Sequence, residues 1–174
     1  QVFWYGLLLL MLFAAPWLVP EYWLAQLTFV LIYGVIGLGL MLLAGFTGQF
    51  SMGHAAFVGV GAYAQAVLTN HGMPFPLAML MSAALAAAAG VVVGLKALRV
   101  KGIYLVIATL AFGFIVEEVF ARWDSLTGGN AGMHVKAPAI FSWKIESSEG
   151  FYFICLVTAV LVTLGVLNLL RSAT

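Results

Sequence analysis

Six apolar runs, each near twenty residues long, dominate this chain and leave it few choices of fold. They are Val2–Val19, about Leu24–Ala44, Ser51–Thr69, Phe75–Leu95, Gly102–Phe120 and Phe151–Leu170. A helix needs roughly 20 apolar residues to cross a bilayer. Inside the bilayer every backbone N–H and C=O must find its partner within the protein, and a helix does this within one segment. The pattern predicts an all-α integral membrane protein. It is a polytopic bundle of about six transmembrane segments, with the third either broken, re-entrant or spanning. Charged residues make up only 7% of the chain, against about 25% in a soluble domain. Such a chain cannot cover its own surface in water.

Punctuation fits this reading. Pro16 and Pro20 close the first run, and His71-Gly72-Met73-Pro74 separates the third from the fourth. Trp17, Trp23, Trp123 and Trp143 sit near run ends, where indole favours the membrane interface. The first run lacks a positive leader and a small-residue cleavage site, so it reads as a spanning helix and not a signal peptide. Because the chain starts at Gln1 and not Met, its natural N-terminus is expected upstream. Lys96, Arg99 and Lys101 form a cluster without acids, which the positive-inside bias assigns to the cytoplasm. The stretch 121–150 is then external, and Arg171 returns to the cytoplasmic side. A re-entrant third run would flip everything before it.

The run from Gly45 to Ala66 (GFTGQFSMGHAAFVGVGAYAQA) departs from its oily surroundings. Polar side chains and glycines at membrane depth are costly unless they face protein or water. On a helix, His54, Gly61 and Gln65 share a face, with Ser51 one turn before His54. This stripe either lines a substrate path, together with Gln49 and Gly59, or bonds neighbouring helices. Gly45, Gly48 and Gly53 are candidate hinges. In the fifth run Thr109, Gly113 and Glu117 recur every four residues, which makes Thr109 and Glu117 path candidates. Glu117 faces either the bundle interior or solvent at the helix end. Glu118 and Arg122 have the spacing and order of a helical ion pair. In the fourth run Ala78, Ser82, Ala86, Gly90 and Gly94 form a seam of small side chains suited to close helix packing.

Several chemistries are excluded by pattern. The stretch 126–133 (LTGGNAGM) is glycine-rich but lacks the Gly-Lys-Ser/Thr ending of a phosphate loop, so it reads as a structured turn. There are no paired carboxylates, no nucleophile–histidine–acid set and no metal-ligand spacing. Cys155 is the one cysteine and lies in an apolar run. No enzymatic activity, metal or cofactor is expected. A net charge of +1 offers no face for nucleic acid.

Three stretches in order then resemble a known family: 45–63, 98–113 (LRVKGIYLVIATLAFG) and 123–133 (WDSLTGGNAGM). Together they are similar to the LivM-type permeases of branched-chain amino acid ABC importers. The resemblance implies that residues 1–174 form the N-terminal part of a single transmembrane permease domain, with its coupling helix beyond. It implies a homologous LivH-type permease as partner, cytoplasmic ATP-binding subunits that hydrolyse ATP, and an external or periplasmic amino-acid-binding protein. The location implied is a bacterial inner or plasma membrane. Trp123, Asp124, Thr127, Gly128, Gly129 and Asn130 become candidates for an external docking loop. One departure stands out: many relatives carry an acid directly after Ala-Phe-Gly of the fifth run, where this chain has Phe114. Two other classes compete. An ion-gradient-driven secondary transporter would need a buried acid, for which Glu117 is the candidate. A non-transporting membrane scaffold would use the third run for assembly alone.

Overall fold

A computed structural model describes residues 2–46, 51–97, 102–135, 139–140, 143–144 and 147–172. All six apolar runs form helices: α1 (Val2–Leu18), α2 (Glu21–Met41), α3 (His54–Asn70), α4 (Phe75–Ala97), α5 (Ile103–Arg122) and, after the short α6 (Asp124–Thr127), the long α7 (Ser148–Ser172). Among the described residues four stretches are long and apolar enough to cross a membrane: Glu21–Gly45, Phe75–Leu95, Ile103–Arg122 and Ser148–Ser172. The remaining two helices are shorter. At about 1.5 Å per residue, the 17 residues of α3 reach roughly 25 Å, less than a hydrocarbon core of about 30 Å. A two-residue antiparallel ladder pairs β1 (Ala139–Ile140) with β2 (Trp143–Lys144). Of the cation cluster used for orientation, Arg99 and Lys101 lie outside the described residues.

The contacts group the chain into two compact units, Gln1–Gly39 with Ile145–Thr174, and Leu40–Lys144. In the first, Ala15, Leu24, Tyr152 and Leu156 make the core. Phe13, Trp17 and Phe153 stack around it with ring centroids 5.5–6.1 Å apart. Pro16 does not end α1, which runs two residues further, to Leu18. The chemistry of proline explains what makes this tolerable. Pro16 has no N–H, so the carbonyl of Leu12 loses its partner one turn on. The hydroxyl of Tyr152, wholly buried, donates to that carbonyl at 2.8 Å. A polar group that would be orphaned in an apolar interior is thereby satisfied from another helix. At the start of α7, Ser148 Oγ donates to Glu21 Oε1 at 2.6 Å and ties it to the first turn of α2.

The second unit is built on α3, α4 and α5. The first half of the seam on α4 turns inward, with Ala78 and Ser82 buried and Ala86 half-buried, whereas a Cβ on Gly90 or Gly94 would meet no described residue within 4 Å. Small side chains let α3 approach closely, and Gly61 of α3 would place a Cβ 3.8 Å from that of Ala86. After α2, Leu42–Phe46 form one turn of π-helix that contains Gly45. Such wide turns interrupt helices locally and occur often at functional sites. Gly48 and Gln49 lie outside the described residues.

Candidate functional site

In the second unit a groove of about 600 Å³ opens between α3, α5 and the turn that follows α5. Each wall comes from a helical stripe. Ala55, Gly59 and Tyr63 line the α3 side at spacings of four, with Met52 just before the helix. Leu110, Gly113, Glu117 and Phe120 line the α5 side at spacings of three and four. Gly129, Asn130, Ala131 and Gly132 close the third side. Ala55, Gly59 and Gly113 are the small residues of the lining, with Gly59 packed under the Phe120 ring and Gly113 against the Gly53 backbone. The rings of Tyr63 and Phe120 stack with centroids 4.5 Å apart at 39°. A Cβ on Gly59 would lie 3.0 Å from the Phe120 ring, so glycine there is what lets Phe120 lie across the helix.

The closing turn is shaped by backbone conformation. Gly128 and Gly129 have φ of +73° and +57°, and Gly132 has +75°. A Cβ on Gly128 would strike the carbonyl of Gly132, and one on Gly129 the carboxylate of Asp124. Thr127, only 1% exposed, is the staple of the turn. Its hydroxyl reaches the carbonyls of Phe120 (2.6 Å) and Trp123 (2.8 Å) and accepts from the Gly129 N–H (3.2 Å). Asn70 at the end of α3 donates to the His134 carbonyl at 2.9 Å, fastening the segment beyond the turn.

The path candidates separate into two groups. Gly59 and Glu117 line the groove. Gly61 and Gln65 face α4 instead. Gln65 Oε1 accepts from Ser82 Oγ at 3.1 Å, and its amide reaches Thr69 Oγ1 and the Phe75 carbonyl at 3.5 Å. Of the two sequence readings of Gln65, the helix-bonding one describes its contacts. Thr109 is also engaged in packing. It is buried, accepts from the Met52 N–H at 3.1 Å and donates to the Val106 carbonyl at 3.0 Å. Ser51 precedes α3 and is not on its face, and His54 is the first residue of the helix. Gly53 is buried where a Cβ would come within 2.7 Å of the Thr109 carbonyl, so close approach of backbones is what requires glycine.

The docking candidates divide similarly. Trp123, Asp124 and Asn130 are exposed, whereas Thr127 and Gly129 are buried and Gly128 half-buried. The last three build the turn from within. Glu118 and Arg122 form the expected ion pair on the surface. Sequence reasoning missed Tyr63, Phe114 and Phe120 as groove residues. The available signal was Tyr63 four residues after Gly59, on a face other than that of Gly61 and Gln65.

Comparison with known proteins decides the family. The model of the branched-chain amino acid transport system / permease component family matches residues 22–174. The chain belongs to this family. It is similar to the high-affinity branched-chain amino acid transport system permease protein LivM of Escherichia coli K12, with 33% identity over 141 residues. That alignment covers 80% of this chain and 33% of the relative. LivM of Salmonella typhimurium LT2 is likewise 33% identical over 143 residues, 81% of this chain and 34% of that protein. The chain therefore spans about a third of the length of the curated relatives it matches. No solved structure matches it. With its apolar spans, this permease-family chain is a multi-pass membrane protein.

Proposed function

We propose that this chain is part of a permease subunit in an ATP-driven importer of branched-chain or related small amino acids. Membership of the permease family across residues 22–174 carries the reading. Residues 1–174 would be the N-terminal part of one transmembrane permease domain in a bacterial inner or plasma membrane. A homologous LivH-type permease completes the path, separate cytoplasmic subunits hydrolyse ATP, and an external or periplasmic binding protein delivers the substrate. The groove of α3 and α5 is the segment of path that this chain contributes, and its outer rim, with Trp123, Asp124 and Asn130, meets the binding protein. The π-helical turn at Gly45, with Gly48 beyond it, is the hinge about which the groove wall moves. Gly61, Gln65 and Thr109 hold that wall in place, and Ser51 and His54 stand at its start.

Weakly polar walls suit such a role, because a tightly held substrate would leave slowly. The test is uptake of labelled leucine by cells carrying the full-length permease with its partner subunits. Gly59→Leu fills the groove against Phe120 and is expected to abolish uptake while membrane insertion persists. Undiminished uptake in that variant would remove the groove from the path.

A further inference from the structure

We propose that the groove binds an aliphatic amino acid through its ammonium group, with the Glu117 carboxylate as the receiving group. The inference rests on the importer reading for its choice of amino acid, and on the groove itself for the rest. Among the described residues lining the groove, Glu117 is the one charged side chain. The cation nearest in sequence, Arg122, is engaged by Glu118. Glu117 makes no ion pair with any described residue. A carboxylate in a groove that Phe114, Phe120 and Tyr63 also line complements a molecule with a cationic head and an apolar body.

Other occupants fit less well. A bare metal ion wants several oxygen ligands. Among the described residues no cluster of three acids, histidines or cysteines exists to supply them. An anion would meet Glu117 with the wrong sign. The volume of about 600 Å³ falls within the usual range for small-molecule sites, about 300–1,000 Å³. Asn130 on the closing turn offers a neutral amide to the substrate carboxylate without competing for the ammonium group. Ala55, exposed on the groove wall, leaves room for a branched side chain.

The experiment uses the full-length permease with its partner subunits in lipid, in a Cys155→Ser background. Ala55→Cys, on the exposed groove wall, reports occupancy through its rate of reaction with an aqueous thiol reagent. L-Leucine is expected to slow labelling about threefold when present at about twice its Kd. Isoamylamine, which keeps the cation and the branched body, slows it too. 4-Methylpentanoate, which lacks the ammonium group, does not. Glu117→Gln removes the protection by leucine, and Glu117→Asp keeps it. Met52→Cys on the same wall repeats the measurement if Ala55→Cys disturbs packing. Leucine protection that survives Glu117→Gln, or equal protection by 4-methylpentanoate, overturns the proposal. So does absence of protection in both cysteine variants at millimolar leucine. The same complex assayed for leucine uptake separates the two claims. Uptake without protection sinks the Glu117 site alone, and protection without uptake sinks the importer reading alone.

Discussion

The two faces of α3 use the same kind of residue for opposite ends. Toward α4, Gly61 meets Ala86 across a packed seam, and Gln65 is tied to Ser82, Thr69 and Phe75. Toward α5, Gly59 lies under the ring of Phe120 beside an open groove. Both faces carry a glycine and a polar or aromatic group four residues later. One closes a contact and the other leaves a space. The difference lies in what stands opposite. Ala78, Ser82 and Ala86 of α4 are small and lie close to α3, whereas on the α5 side the backbones meet only near Gly53, and beyond that point Phe120 and the turn from Asp124 to Gly132 border the groove. A groove in an apolar bundle thus depends less on its polar lining than on what keeps its walls apart.

That contrast can be broken by changing the spacers. Gly128→Val should have the largest effect, because a left-handed φ costs a branched residue about 1–2 kcal/mol. Overpacking against the Gly132 carbonyl adds about 1–3 kcal/mol. Thermal unfolding in detergent should show a loss near 3 kcal/mol, and the labelling of Ala55→Cys should change with it. Gly53→Ala comes next. Its Cβ would press on the Thr109 carbonyl, and a loss of about 1–3 kcal/mol is expected in the same assay. A loss below about 0.5 kcal/mol would mean that the α3–α5 junction is looser than described.

A buried hydrogen bond away from both faces gives a benchmark. Tyr152→Phe leaves the Leu12 carbonyl unsatisfied and should cost about 1–3 kcal/mol, toward the lower end. In a Pro16→Ala background the helix supplies its own N–H to that carbonyl, and the same substitution should cost clearly less. Equal costs in both backgrounds would separate the tyrosine from the proline. The smallest effect should come from the α4 face. A double-mutant cycle of Gln65→Ala with Ser82→Ala is expected to give a coupling of about 0.6 kcal/mol, typical of interhelical hydrogen bonds in membranes. A coupling above about 1.7 kcal/mol would make that face as demanding as the groove wall.

Much of this was legible in the sequence. Six apolar runs became six helices, because length and hydrophobicity alone decide that much. The small seam of α4, the Glu118–Arg122 pair and the structured turn at 126–133 followed from spacing and local chemistry. The direction each face points did not. Periodicity shows that Gly61 and Gln65 share a side, but not that α4 and not a groove lies there. The groove residues Tyr63, Phe114 and Phe120 looked like ordinary aromatic filling, since an apolar wall carries no polar mark. Gly53 read as a candidate hinge, and the close approach of the Thr109 carbonyl, which also requires glycine, carried no mark of its own in the sequence. Pro16 read as a helix end because its remedy, Tyr152, stands 136 positions further along the chain.

Cysteine substitution along α3 and at Met52 just before it, read by an aqueous thiol reagent in the lipid-embedded complex, tests the division of the two faces most directly. Cysteines at Met52, Ala55 and Tyr63 should react, and those at Gly61, Gln65 and Thr69 should remain protected. Uniform reactivity along the helix, or the reverse pattern, would contradict a groove on the α5 side and a packed seam on the α4 side.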